Sequence, residues 1–182
     1  MSYIDSKNIY RIASRIIQRC GTNDPDKIAR ELGIEVTDVD YFQNLLGFYS
    51  YRWRKRFIVL NNRLSENQRQ MILRHELGHD ALHRACIKGL IIKEFEIFHM
   101  SDPREYEANA YASHILIDTN DFLELARNGY DIYQIARYIK TEVNMVLIKS
   151  NELNSLGFNL RLPQTPQGDF LKNLKADSGQ II

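Results

Sequence analysis

Two histidines four residues apart, His75 and His79, enclose a glutamate in the run His75-Glu76-Leu77-Gly78-His79. If this run is helical, residues four apart share one face and lie about 6 Å apart along the axis. Two imidazoles placed in this way can bind one metal ion, and the carboxylate beside them can take a proton from an attacking water molecule. The spacing therefore predicts a zinc site with Glu76 as the general base.

Two acidic residues in a later segment, Glu105 and Glu107, can supply a third ligand. Two residues apart on a helix, they lie about 200° apart around the axis, so only one can face the metal. Glu105 shares a face with the small residues Ala108 and Ala112, which we expect to pack inward. Glu105 is therefore predicted as the third ligand, and Glu107 stays the alternative. Asn109, on the same face as Glu105, is expected to accept the outer N–H of a ligand histidine.

The helix that carries the two histidines is predicted to begin after Ser65, as N-cap, and to end around Lys88-Gly89. Gly78 in its middle costs roughly 1 kcal/mol relative to alanine, so close approach of another backbone is the expected reason for it. The partner is the helix that begins at Asp102-Pro103 and carries Glu105. His83 lies about 12 Å of helix rise from His75, too far to share its ion, and is expected to be structural or a hydrogen-bonding neighbour of the site.

Apolar periodicity predicts two helices before the site and then three strands. The helices run from Ile4 to Cys20 and from Asn23-Asp24-Pro25 to Gly33, and the strands cover Ile34–Val39, Leu46–Tyr51 and Arg56–Leu60. A hairpin turn is expected near Trp53-Arg54-Lys55, which makes the sheet antiparallel. An exposed edge of this sheet is a candidate site for an extended peptide added as a further strand.

Composition narrows the class of protein. The 182 residues are 44% hydrophobic and 26% charged, which is typical of a globular protein, and the formal net charge of +1 gives no general argument for nucleic-acid or membrane binding. Two cysteines are too few for a disulfide scaffold. The basic, amphipathic first helix is a weaker candidate for a membrane or targeting element, because a folded segment follows it. We expect a soluble cytoplasmic protein without membrane contact.

The last third of the chain is predicted to form three short helices over 121–127, 132–140 and 143–153, with a pattern loosely like a helix-turn-helix. Direct DNA binding is not expected, because the pattern lacks a clear basic recognition face. The expected organisation is a core over 1–118, a helical part of the same domain over 119–160, and a tail over 161–182.

The two motifs together resemble the ImmA/IrrE family of metallopeptidases. They are His75-Glu76-Leu77-Gly78-His79-x-x-Leu82-His83 and Glu105-x-Glu107-Ala108-Asn109-x-Tyr111-Ala112. The resemblance implies an α+β fold with a zincin-like core and C-terminal helices, and a gluzincin-like site in which His75, His79 and Glu105 bind zinc and Glu76 is catalytic. One departure, Leu116-Ile117-Asp118 in place of a Leu-Met-Pro type ending, affects the wall of the substrate groove rather than the metal.

The function implied by the resemblance is zinc-dependent endopeptidase activity on a cytosolic regulatory protein, a helix-turn-helix repressor of a mobile element or stress response. The alternative is a non-catalytic zinc-containing module that binds a transcription regulator or an antitoxin-like partner. Glu76 counts against the alternative, because metal ligation does not use it, and a structural zinc more often has four protein ligands. Tyr106 and Tyr111 are candidates for oxyanion stabilisation only through their position in the sequence.

Overall fold

The computed structural model describes residues 5–86 and 102–160 of the chain. Within these two ranges the chain forms seven helices and three strands. They are α1 (Ser6–Cys20), α2 (Pro25–Leu32), β1 (Glu35–Val39), β2 (Gly47–Arg52), β3 (Lys55–Asn61), α3 (Glu66–His83), α4 (Pro103–Leu116), α5 (Thr119–Arg127), α6 (Ile132–Ile139) and α7 (Val143–Ser155). The expected α+β class with C-terminal helices is confirmed.

Local capping signals set the ends of the helices that support the site. Asp24 accepts hydrogen bonds from the first turn of α2, and Gly33 ends that helix in the left-handed conformation. Ser65 and Gln68 form a reciprocal capping box at the start of α3. The predicted end of α3 is wrong, because the helix stops at His83 and a turn follows. Lys88-Gly89, the apolar segment 90–98, His99 and the tail 161–182 lie outside the described residues.

The three strands form a mixed sheet of order β1-β3-β2 rather than the predicted antiparallel sheet. β2 and β3 are antiparallel, from Gly47 opposite Leu60 to Arg52 opposite Lys55. β1 instead runs parallel to β3, because the chain leaves β1 at one edge and crosses to the other edge before the hairpin. Alternation of apolar and polar residues reports which side chains share a face, and it carries no information on strand direction.

The predicted hairpin is present, with Trp53 and Arg54 as its two turn residues. Both have positive φ, 50° and 62°, as a type I′ turn requires at its two central positions. Neither residue is the usual asparagine or glycine of such turns. Trp53 is 81% exposed, so its role in the turn does not come from burial.

Two apolar clusters share the helix α7. The first lies between the sheet and helices α1, α3 and α4, and includes Ile58, Ile72 and Leu77. The second joins the C-terminal helices. Met145 and Ile148 of α7 belong to the first cluster, while Val146 and Leu153 belong to the second. Among the described helices, none combines the length and apolar character needed to span a bilayer.

Candidate metal centre

Helices α3 and α4 come into backbone contact at Gly78. A Cβ atom on this residue would lie 2.9 Å from both the Cα and the carbonyl oxygen of Ala108. Real Cβ atoms do not approach backbone so closely, so any side chain here would push the two helices apart. The expected partnership between Gly78 and the small residues of α4 is confirmed, and it brings the two motifs face to face.

Three buried side chains meet beside this crossing. The Nε2 atoms of His75 and His79 are 3.1 Å apart. The Glu105 carboxylate lies 3.2 Å from His75 Nε2 through one oxygen and 3.5 Å from His79 Nε2 through the other. All three residues are less than 9% exposed. The group has the composition and proximity needed to hold a metal ion.

The distances between these atoms are equal to or slightly shorter than those around a tetrahedral ion. Ligand bonds of about 2.0–2.2 Å in a tetrahedron place neighbouring donor atoms roughly 3.3–3.5 Å apart, and the three separations are 3.1, 3.2 and 3.5 Å. In addition, Glu105 Oε2 is buried, and its contact with His75 Nε2 at 3.2 Å does not have the geometry of a regular hydrogen bond. A buried carboxylate oxygen in this state is stabilised by a cation.

The protonation states of Glu105 and His79 suit metal binding. Burial raises the pKa of Glu105, but contacts with His75 and His79 outweigh burial and lower that pKa to about 2. Burial lowers the pKa of His79 to about 4. Burial also opposes the charged form of His75, yet Glu105, Glu76 and Asn109 together raise the pKa of His75 above its ordinary value. At neutral pH Glu105 is therefore a carboxylate and His79 a neutral imidazole, the forms that bind metals.

Asn109 orients the first histidine. Its Oδ1 atom lies 2.8 Å from His75 Nδ1, so His75 can donate its Nδ1 proton there while Nε2 faces the cluster. Asn109 is 1% exposed, which keeps water from competing for this bond. The contact proposed from the sequence between Asn109 and a histidine of the site is present.

Glu105 and Glu107, the two candidates for the third ligand, lie in different surroundings. Glu105 faces the pair of histidines, whereas Glu107 lies 2.9 Å from His83 Nε2 through its carboxylate. His83 Nδ1 in turn lies 3.0 Å from His79 Nδ1. His83 is therefore a hydrogen-bonding neighbour of the site, one of the two roles expected for it.

The remaining candidates differ in what they contact. Glu76 is completely buried next to His75, and its negative charge helps to raise the pKa of that histidine. Tyr106 donates its hydroxyl to Glu152 of α7 at 2.9 Å, and Tyr111 packs in the apolar core. The Tyr106 hydroxyl is therefore engaged by α7, whereas the Tyr111 hydroxyl is buried without a hydrogen-bond partner among the described residues.

The sequence analysis missed a second buried polar cluster, formed by His114, Lys149 and Glu152. Lys149 Nζ lies 3.0 Å from His114 Nδ1 and 2.9 Å from the hydroxyl of Thr119. On its other side, His114 Nε2 is 3.7 Å from Glu152. The available signal was Lys149 itself, since it follows three apolar residues, Val146-Leu147-Ile148, in a helix with few charges.

A comparison with protein families agrees with this geometry. The IrrE N-terminal-like domain model of the peptidase M78 family matches residues 29–151, so the chain belongs to this family. The matched range contains both motifs, and the resemblance stated from the residues is confirmed.

One curated relative is a bacteriophage protein. The chain is similar to a Bacillus phage phi105 protein named uncharacterized immunity region protein 2, with 33% identity over 103 residues. The match covers 57% of this chain and 64% of that protein, so the chain spans somewhat less than two thirds of the length of this relative.

Proposed function

We propose that the protein is a zinc-dependent endopeptidase that cleaves an intracellular regulatory protein, a helix-turn-helix repressor of a mobile element or stress response. The observation that carries the proposal is the convergence of His75, His79 and Glu105 on one point, with Glu76 on the same helix. Membership in the M78 family supports the reaction class. The immunity-region name of the phage relative supports a regulatory substrate.

In the proposed mechanism His75, His79 and Glu105 would hold the ion, and only three protein ligands leave room for reactants. Zinc, when bound, would activate water and polarise the scissile carbonyl. Glu76 takes the proton of the attacking water and later delivers it to the departing amine. Because Glu76 is completely buried, its carboxylate is shielded from bulk water, which strengthens its interaction with the reacting groups.

The substrate backbone is proposed to bind along β2, which forms one edge of the sheet. From the register of β2 and β3, the backbone groups of Gly47, Tyr49 and Tyr51 point away from β3. The Tyr49 hydroxyl donates to Asp80, the residue after His79, at 2.7 Å, so this edge is tied to the metal-site helix. An extended peptide added to β2 would therefore lie next to the cluster.

A protein partner fits the C-terminal helices better than DNA does. α7 is the second helix of the helix-turn-helix-like pair, and Lys149, its one basic residue, is buried. A recognition helix needs exposed side chains that reach base edges and phosphates. α7 therefore supports the core of the molecule rather than a groove of DNA.

The test is cleavage of a co-expressed helix-turn-helix repressor from the neighbouring locus, combined with metal content measured by elemental mass spectrometry. Glu76→Gln is expected to keep one zinc per chain and to lose cleavage by at least ~100-fold, since general-base catalysis contributes about 10²–10⁴ in rate. Glu66→Gln, which changes an exposed glutamate of the same helix, is the matched control and should cleave normally. Zinc without cleavage in the wild type would favour the non-catalytic binding module instead.

A further inference from the structure

Three side chains, His79, His83 and Glu107, form a line of close contacts that leads away from the candidate metal centre. His79 turns its Nε2 atom toward His75 and Glu105, and its Nδ1 atom lies 3.0 Å from His83 Nδ1. The other nitrogen of His83, Nε2, lies 2.9 Å from the Glu107 carboxylate. His83 is 5% exposed, so its contact with His79 is shielded from water, while the Glu107 side chain is 21% exposed.

The positions of the protons in this line follow from the geometry. If His79 binds a metal through Nε2, its remaining proton must be on Nδ1, which faces His83. Two N–H groups cannot face each other at 3.0 Å, so His83 Nδ1 must accept. A neutral His83 then carries its proton on Nε2 and donates it to Glu107. Each contact in the line has one donor and one acceptor, and no other neutral arrangement gives this result.

We propose that His83 and Glu107 are positioning residues for the metal centre, and that they fix the tautomer and ring orientation of His79. This inference rests on the proposed zinc binding. The Glu107 carboxylate favours the Nε2–H tautomer of His83, which presents a lone pair to His79 and makes that imidazole a more basic ligand. Glu107, which does not reach the metal site itself, thus supports His79, which does.

The two ligand histidines are consequently held in different ways. His75 donates to the neutral amide oxygen of Asn109 at 2.8 Å. His79 donates to an imidazole that is itself backed by a carboxylate. Because helix α4 supplies Glu105, Glu107 and Asn109, the contact at Gly78 that sets the distance between α3 and α4 also sets all three interactions.

The direct test is nitrogen NMR on protein labelled with ¹⁵N-histidine, with and without zinc, because protonated and unprotonated ring nitrogens give distinct signals. In the zinc-loaded wild type His83 should be unprotonated at Nδ1 and protonated at Nε2. Glu107→Ala should give a mixture of His83 tautomers and weaken zinc binding roughly 10–100-fold in a competition assay with a chelating dye. Glu107→Gln, whose amide oxygen can still accept, should lose less.

His83→Phe removes the central residue of the same line. It leaves the Nδ1–H of His79 buried without an acceptor, so zinc binding should fall by a similar factor of about 10–100. Glu124→Ala, at an exposed glutamate of α5, is the matched control and should bind zinc as the wild type does. Thermal unfolding of the metal-free variants checks that they fold. If Glu107→Ala does not fold, the zinc affinity and His83 tautomer of Glu107→Gln test the positioning role instead.

A zinc-loaded wild type with a proton on His83 Nδ1, or undiminished zinc affinity in Glu107→Ala, would overturn the positioning role and leave the proposed peptidase intact. A wild type that binds no zinc would overturn both, so the two failures are distinguishable.

Discussion

Helix α4 contributes to two buried clusters that look alike in composition and differ in one respect. The first contains His75, His79 and Glu105, and the second contains His114, Lys149 and Glu152. Both combine imidazole with carboxylate away from water. The second cluster includes a lysine amine, because Lys149 Nζ lies 3.0 Å from His114.

The first cluster has no lysine or arginine within ion-pairing distance of Glu105 among the residues that the structure describes. Its carboxylate and two imidazoles instead surround a point at ligand spacing. Histidine and glutamate together therefore do not identify a metal site. Among the described residues, the two clusters differ in that a lysine lies in the second and none lies beside Glu105 in the first.

The largest expected effect comes from removing the carboxylate of the first cluster. Glu105→Ala should weaken zinc binding by more than the roughly 10–100-fold typical of an outer contact, since it removes a proposed direct ligand. Glu107→Ala should fall within that range. Competition with a chelating dye measures both, and a greater loss in Glu107→Ala would contradict the assignment of Glu105 as ligand.

A smaller effect, on stability rather than metal affinity, is expected in the second cluster. Glu152→Leu removes a carboxylate that favours the charged form of Lys149 and leaves Tyr106 and His114 without this neighbour, which should lower the free energy of unfolding by about 1–3 kcal/mol. Adding Lys149→Met should recover much of that loss, because the buried charge is then absent. Denaturant unfolding measures both variants.

Zinc stoichiometry is the control for Glu152→Leu and should stay at one per chain, since Glu152 lies outside the first cluster. Loss of zinc in this variant would show that the two clusters are not independent. A cost of less than about 1 kcal/mol would show that the carboxylate does not stabilise the buried lysine.

The first cluster was largely predictable from sequence and the second was not. The spacing of His75 and His79 is local, and the choice of Glu105 followed from which face of α4 carries small residues. His114 and Lys149 are 35 residues apart in the sequence. Apolar periodicity indicates which face of a helix is buried, but it does not indicate that these two side chains meet. The parallel course of β1 was missed for the same reason, because strand direction depends on the path of the chain between strands.

The last expected effect is a pH dependence that separates the second cluster from the first. Burial lowers the pKa of Lys149 from its ordinary 10.5 to about 7. Between these values the unfolded chain holds a proton that the folded chain has released, so stability rises with pH across this window and the contribution is lost as pH falls toward 7. The slope is at most about 1.4 kcal/mol per pH unit for one proton.

The measurement is urea unfolding of wild type and Lys149→Met from pH 7 to pH 10, in the presence of a chelator. The stability of the wild type relative to the variant should rise across this range, and titration of His75 or His79 cancels in the difference because both proteins contain them. Lys27→Met, which removes a lysine with a side chain 63% exposed, should show no such trend. A flat difference for Lys149→Met would mean that the lysine keeps its proton, and that the second cluster holds a permanent cation.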